Sequence, residues 1–395
     1  MRICVGLIWA SAGPLLPFLI QEYGISRGSA GWYASAAPIA VAILAVPIGI
    51  VGARFSLKKL FAVGALLQAA GIFAPLCSSY GLILLIRILY AIGTAITVPI
   101  ATAIMAEWFT ARELPFMNGI TVSFVSLGNT LAYVATVPLA TILFWRAPIT
   151  IYGAFAFSCA AAWIIFGRDH VKGKQTVSAI QMPSPQKLKL NMKKALTQRS
   201  TVILALAVMG AWCLTNAMGS WLPTYYNEVF NMSLTTSSSI TAIITITGVA
   251  ASIAGGILTM RIGRRKPFLR ISGIFMGMLA LASILFNNHV AIFLGVAFFG
   301  FFANLQNASI YTIPMELPDI SPRTGAVVFS LMLAGGNFGN FMGPLIVGYA
   351  VDLTGSYLPG FIICAFISLM VFVASILLPE TGPEVKKRVE VVAAG

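Results

Sequence analysis

The sequence is poor in charge. Only 9% of its 395 residues are Asp, Glu, Lys or Arg, against about 25% in ordinary soluble domains. That scarcity excludes a soluble enzyme and a disordered tail. Its five cysteines (Cys4, Cys77, Cys159, Cys213, Cys364) stand singly in apolar stretches with no CxxC spacing. This excludes a disulfide framework and a zinc site. The two histidines, His170 and His289, fall in loops far apart, and no Ser/His/Asp set or H-E-x-x-H spacing exists. Neither catalytic residues nor a metal or other cofactor is expected.

What is abundant is apolar surface: 58% of the residues are hydrophobic and the mean hydropathy is +0.91. A bilayer crossing uses about 20 residues. Twelve apolar runs are long enough, at 3–23, 30–52, 60–77, 81–106, 119–143 and 148–166, then 202–226, 240–260, 268–286, 290–313, 325–350 and 358–378. The first run lacks a charged lead and a small-residue cleavage site, so it is expected to stay as a span. If both termini are cytoplasmic, 22 of the 25 Lys and Arg lie on the inner side, Arg27 and Arg146 lie outside, and Arg87 alone is within a span. This bias sets orientation by the positive-inside rule. The net charge of +14 is therefore a topology signal rather than a nucleic-acid footprint, with anionic lipid heads as its secondary partner.

The chain repeats itself. Gly13, Leu16, Pro17 and Glu22 recur as Gly219, Leu222, Pro223 and Glu228 at an offset of 206. Gly49, Arg54, Lys58, Lys59 and Phe61 correspond to Gly256, Arg261, Arg265, Lys266 and Phe268 at 207, and Gly128-Asn129 to Gly336-Asn337 at 208. Small insertions produce such a creeping offset. The expectation is an all-α membrane protein of twelve transmembrane helices in two pseudo-symmetric six-helix bundles, 1–167 and 200–379. A basic cytoplasmic linker at 168–199, broken by Pro183 and Pro185, joins them, and a tail follows at 380–395. Parallel repeats of this kind are a transporter arrangement with the site between the halves.

Gly256, Arg261, Gly263, Arg264, Arg265 and Lys266 resemble the loop 8–9 signature of the major facilitator superfamily, G-x-x-x-D-R-x-G-R-R. Arg87, Gly93 and Pro99, followed by Trp108-Phe109 and Arg112-Glu113, resemble its organic-anion and cyanate-permease-like branches. So do Gly336-Asn337, Gly343-Pro344, Gly348 and the run from Asp352 to Tyr357. The resemblance covers nearly the whole chain and implies a monomer working by rocker-switch alternating access. It makes Arg54, Lys58, Arg261, Gly263, Arg264 and Arg265 the conformational-switch loops. There are departures. Met260 and Ala53 replace the acidic residue that helps latch one alternating state in the family. Thr94 stands where some organic-anion symporters place a carboxylate, and spans 2 and 8 lack the arginines of nitrate porters.

A charge in mid-bilayer costs at least roughly 2.5–3.5 kcal/mol and usually faces a cavity. Arg87 lies about 10 Å into span 4 at 1.5 Å per residue, with Tyr90 on the same face. It is either the counter-charge of a substrate anion or a side chain that snorkels outward or ties helix carbonyls; with no intramembrane carboxylate to neutralise it, the anion role is preferred. The uncharged candidates are Asn129 and Tyr133 on span 5, Trp212 and Asn216 on span 7, Asn304, Asn307 and Tyr311 on span 10, and Asn337 and Asn340 on span 11. Such amides either line a cavity or bind helices together. Gly335, Gly339 and Gly343 form a stripe suited to close helix packing, and Trp221, Tyr225, Tyr226 and Phe230 suggest an interfacial aromatic belt, with an outer gate or aromatic lid as the alternative. The acidic residues all lie at or near helix ends, so a coupling proton or cation has no obvious site at depth. The chain is expected to be a multi-pass cell-membrane secondary transporter of a small, monocarboxylate-like organic anion. The alternatives are a multidrug or cationic-compound exporter and a facilitator of a neutral solute.

Overall fold

A computed structural model describes residues 1–52, 56–110, 113–168, 198–286, 288–316 and 322–382. Arg54, Arg112, nearly all of the 168–199 linker and the tail beyond 382 lie outside the described residues. The first half comprises α1 (Arg2–Ala10 and Ala12–Tyr23), α2 (Arg27–Gly52), α3 (Leu57–Gln68, continuing as a 3-10 stretch Ala69–Leu76), α4 (Tyr80–Trp108), α5 (Leu114–Ile142) and α6 (Ala147–Phe166). The second comprises α7 (Arg199–Phe230), α8 (Leu234–Ile262), α9 (Lys266–Leu285), α10 (His289–Leu305 and Asn307–Glu316), α11 (Pro322–Thr354) and α12 (Leu358–Ser368 and Met370–Leu377). Nine of these units are long and apolar enough to cross a membrane, and bent α1 makes a tenth. Helices α2 and α11, at 26 and 33 residues, have the length to cross as well.

Helices outrun the apolar runs because their ends are capped by polar residues outside those runs. Ser79 accepts from the Leu82 N–H at the start of α4, and Ser233 from Thr236 at the start of α8. At the far end of α8, Gly263 takes φ 65°, a left-handed value that a residue without Cβ adopts readily. The breaks follow from chain chemistry too. Helix α1 bends by 43° at Ser11, just before Pro14, which has no N–H to give back along the helix.

The two halves pack alike. Helix α1 lies on α5 as α7 lies on α11; α2 and α3 meet α4 as α8 and α9 meet α10; α3 meets α6 as α9 meets α12. Between halves, α2 packs on α11, α8 on α5, and α1 on α7. Even the cysteines follow this pattern: the Sγ atoms of Cys4 and Cys159 (α1, α6) lie 4.0 Å apart and those of Cys213 and Cys364 (α7, α12) 3.9 Å, as free thiols.

Lipid gives no hydrophobic incentive for helices to associate, so small residues and close packing must hold them. The α11 stripe does this. A Cβ on Gly335 would lie 2.7 Å from the Ala205 carbonyl oxygen, and Cβ atoms on Gly339 and Gly343 would overlap the Met209 and Cys213 carbonyls of α7. The first half mirrors it, with Gly6 against the Val125 carbonyl and Gly128 against that of Ile3. Large apolar side chains such as Phe73, Leu76, Ile142 and Phe166 remain exposed on the lipid-facing outside. The aromatic run of α7 is a correction to the expected belt: Trp221 and Tyr226 are fully buried. The Trp221 N–H donates to the Pro344 carbonyl and the Tyr226 hydroxyl to that of Ser283, so carbonyls inside the bundle, not headgroups, satisfy their polar atoms.

Gly339→Ala is expected to lower the melting temperature, at a cost of roughly 1–3 kcal/mol from overpacking. Gly256→Ala, where a Cβ meets nothing within 4 Å, should be neutral or stabilise by up to about 1 kcal/mol. Thermal melting of the two purified variants decides it; equal melting temperatures would sink the glycine–carbonyl account.

Candidate functional site

The charged candidate is built around the break in α1. Arg87 is 2% exposed. Its Nε donates to the Tyr33 carbonyl at 3.2 Å, Nη2 to that of Trp9 at 2.9 Å, and Nη1 to that of Ile8. The bend at Ser11 leaves the Ile8 and Trp9 carbonyls at a helix C-terminus. There the Ser11 hydroxyl donates to the Ile8 carbonyl at 2.9 Å, and the spare lone pairs and the negative end of the helix dipole favour a cation. The guanidinium carbon also sits 5.0 Å from the Tyr33 ring centre and 5.4 Å from that of Tyr90, within cation–π range. Tyr90, fixed on the same face of α4, donates its hydroxyl to the Val5 carbonyl at 2.7 Å. No carboxylate touches Arg87 among the described residues.

Two members of this knot escaped the sequence reading. Tyr33 supplies a carbonyl and a ring from α2. Gln68, fully buried on α3, donates through Nε2 to Thr97 at 2.6 Å and Thr94 at 3.3 Å, and its Oε1 has no partner. Gln68, Arg87, Tyr90 and Tyr33 border a void of about 10 Å³, close to the smallest space that holds one water. A lone amide inside the apolar run 60–77 was a usable signal for Gln68; nothing local marks Tyr33, because its carbonyl matters only once α1 lies beside it.

The uncharged candidates gather elsewhere, mostly in the second half. Asn216 on α7 donates to the Asn340 carbonyl of α11 at 2.5 Å. Along α10, Asn304 donates to the Gly300 carbonyl and Asn307 donates to Asn304 Oδ1 at 3.1 Å. The Trp212 side chain lies beside the Tyr311 hydroxyl, and Asn337 donates to its own helix at Leu333. These side chains are half-buried. The Asn216, Asn304, Asn307 and Asn337 amides have thus each found a carbonyl, as the absence of water demands, while keeping part of their surface free. On α5, half-buried Asn129 has an unpartnered Oδ1, and Tyr133 donates to the Gly219 carbonyl across the seam at 3.1 Å. Arg87 and Tyr90 are therefore packed within the first bundle, Asn129 and Tyr133 sit at the seam, and the remaining amides belong to the second bundle.

The seam itself is closed at one face. Repeat-equivalent Gly13 and Gly219 meet where α1 crosses α7, and a Cβ on Gly13 would overlap the Gly219 carbonyl. Ser35 donates to the Phe341 carbonyl at 2.7 Å, Trp32 to Tyr349 at 3.2 Å, and Thr130 and Thr245 share a bond of 2.8 Å. At the rim, Arg27 reaches both Glu228 oxygens at 2.9 Å and the Tyr357 hydroxyl at 3.1 Å. Burial, and then the adjacent Glu228 carboxylate, push the Tyr357 phenol up, so it stays the donor to Glu228. At the opposite, basic face Arg265 and the Lys58 main chain bond within their own halves. Arg265 pairs with Glu316 at 2.6 Å and donates to the Thr259 carbonyl, and the Lys58 carbonyl accepts from Trp163. Arg261 is exposed, and Arg264 follows Gly263 at the end of α8.

Comparison with known proteins agrees with this architecture. The family model described as Major Facilitator Superfamily matches residues 1–323 and 230–394. A protein named Probable sulfoacetate transporter SauU from Cupriavidus necator is 24% identical over 86% of this chain and 83% of its own. The Hexuronate transporter of Bacillus subtilis is 24% identical over 94% of this chain and 92% of its own. The crystal structure of a bacterial homologue of the human lysosomal transporter Spinster shares the fold, with a TM-score of 0.78 at 15% identity over 95% of both chains.

Replacing Arg87 by Met removes three charge-assisted hydrogen bonds to buried carbonyls, each worth about 1.5–3 kcal/mol, although the Ile8 carbonyl keeps the Ser11 hydroxyl as a donor. Arg87→Met is therefore expected to melt several degrees lower. Thr102→Ala, an exposed position on the same helix, should stay within about 0.5 kcal/mol. Indistinguishable melting curves for the two would remove Arg87 from the architecture.

Proposed function

The chain belongs to the major facilitator superfamily; it is a multi-pass membrane transporter of small molecules and not an enzyme, and from that premise we propose that its cargo is a small, monocarboxylate-like organic anion. The observation that carries this reading is Arg87, a guanidinium inside the span region with no carboxylate beside it among the described residues. A positive charge at 4 Å attracts an anion by about 4 kcal/mol at an effective dielectric of about 20 and repels a cation equally. With every acidic residue at or near a helix end, the sign disfavours the cation-exporter alternative. The similarity to transporters named for sulfoacetate and hexuronate points the same way.

Of the five guanidinium N–H groups, three serve carbonyls and one on each Nη is left. A carboxylate with two oxygens suits that fork. An anion coming from the interior competes with the Trp9 carbonyl for Nη2, and α1 is a seam helix, so occupancy loosens the contact on which rocking depends. The half-buried amides Asn216, Asn304, Asn307, Asn337 and Asn340, with Asn129, Tyr133, Trp212 and Tyr311, offer neutral donors and acceptors to the rest of the solute. The positive-inside rule puts the basic face and both termini in the cytoplasm, so the sealed Arg27 face is the outer one. Glu22 and Glu228, the repeat-related carboxylates nearest the spans, are paired with Arg146 and Arg27. They serve that outer face rather than a proton path at depth.

A second reading has its own support. Three carbonyl bonds and 2% exposure suit a purely architectural Arg87, with a neutral solute held by the amides.

Thermal melting with sulfoacetate, glucuronate and glycolate, against glucose and tetramethylammonium, separates the readings. A ligand at 100 times its dissociation constant adds about 2.7 kcal/mol. Anions are expected to stabilise the wild type and to bind at least roughly tenfold more weakly to Arg87→Lys, which keeps the charge and loses the fork. Stabilisation by glucose, equal in both proteins, supports the neutral-solute reading; stabilisation by tetramethylammonium returns the exporter.

A further inference from the structure

We infer that Gln68 holds Arg87 in place through one ordered water molecule, gripped between the two side chains inside the first bundle. The inference concerns how the guanidinium is mounted, and it stands whichever solute is carried.

Each side chain has polar groups to spare. Gln68 on α3 is fully buried, and its neighbours fix the direction of its amide. The Thr94 hydroxyl already donates to the Tyr90 carbonyl at 3.0 Å. It has only lone pairs left to offer, so the group it meets is the Gln68 NH2. Thr97 accepts from the same nitrogen at 2.6 Å. Oε1 therefore points elsewhere, and no described residue donates to it. Arg87 gives three of its five N–H groups to carbonyls, and the other two meet no acceptor among the described residues.

The space beside them has room for one small molecule. Gln68 and Arg87 border the same void of about 10 Å³, close to the least that holds a water and too small for a carboxylate. Ile8, Gly71, Ile86 and Ile149 form its apolar walls, with Tyr33 and Tyr90. A wholly apolar cavity stays dry, but this one has an acceptor in one wall and donors in another. A water there donates to Oε1 and accepts from the guanidinium, so a single molecule gives both residues a partner. Leaving an amide oxygen unpaired inside a bundle costs more than immobilising one water that has two partners. The water fixes the edge of the guanidinium that the α1 and α2 carbonyls leave free. Gln68 is on this account a positioning residue for Arg87, not simply a packing residue of α3.

The repeat treats the two residues as a unit. At an offset of 208, Gln68 corresponds to Met276 and Arg87 to Gly295. A Cβ on Gly295 would lie 3.0 Å from Ser283 of α9, so in the second half the backbones close over the place that Arg87 fills in the first. Where the arginine is missing, the glutamine is missing too.

Two measurements test the inference. A density map of the purified transporter, fine enough to show ordered water, is expected to place one peak within hydrogen-bond distance of both Gln68 Oε1 and an Arg87 nitrogen. No such peak, or a direct bond between the two side chains, overturns the inference. The second measurement uses Gln68→Glu, which keeps the shape of the amide and sets a carboxylate one water from the guanidinium. The charged groups on this side of the bundle are Arg87 and, past Thr97, Arg2 of α1, whose Nη2 donates to the Val98 carbonyl. The titratable neighbours are Tyr33 of α2 and Tyr90 of α4, while α6 brings Cys159 and the Tyr152 phenol, which is bonded to Thr136.

Paired with Arg87, the introduced carboxylate stays charged, so Gln68→Glu is expected to melt alike at about pH 5 and about pH 8. When Gln68→Glu is combined with Arg87→Met, the carboxylate has no partner. It is neutral at the lower pH and a buried lone charge at the higher. The melting temperature should then fall by about 5 °C across that range, beyond any change in Arg87→Met alone. A single variant that falls as far as the double one overturns the inference, and so does a double variant that does not fall. Both measurements are made without solute, so a failure of anion binding leaves them readable.

Discussion

Inside a bilayer no water is at hand for a main-chain N–H or C=O, and the rest of this structure depends on meeting that demand internally. Helices meet most of it, and every place where a helix breaks must be repaired by something else. The break in α1 at Ser11 is the clearest case. It turns two carbonyls out of the regular ladder, Ser11 serves them only in part, and the side chain brought to them is the one charge with any depth in the spans, Arg87. A guanidinium, three carbonyls and two aromatic rings then account for one another: the charge is tolerated because the carbonyls need donors, and the carbonyls are tolerated because the charge is there.

The same demand explains how the two bundles hold their shape. Glycines at four-residue intervals on α11 let its backbone lie directly on carbonyls of α7, and α1 and α5 repeat the device. Packing of this kind needs no hydrophobic effect, which lipid cannot supply. Where the symmetry is exact, as with Gly13 against Gly219, it marks the axis about which the halves relate. Where it fails, as with Asp352 on the first turn of α2, one face gains a contact between the bundles that the repeat does not copy: 208 residues earlier stands Phe144.

Much of the architecture was legible in the residue order. Period and hydropathy predict spans that agree with most helices to within a few residues, and the internal repeat predicts the matched helix pairings. The glycine stripe was also readable, because four-residue spacing puts Gly335, Gly339 and Gly343 on one face whatever surrounds them. The aromatic run of α7 was not. An aromatic belt and a buried aromatic core have the same composition, and only the carbonyls of Ser283 and Pro344, far away in sequence, decide between them.

For the site, the sequence alone determined which residue types are available: one deep arginine, a set of amides and no deep carboxylate. Those are facts of composition and spacing, and they already bias the chemistry toward anions. Tertiary structure decided what each group touches. It committed Arg87 to carbonyls of α1 and α2, exposed the missing partner of Gln68 Oε1, and set Asp352 on the first turn of a helix 325 residues away. The physical reason is the same throughout. A periodic pattern acts over one or two helical turns, while a hydrogen bond between distant segments exists only after the chain has chosen where it bends.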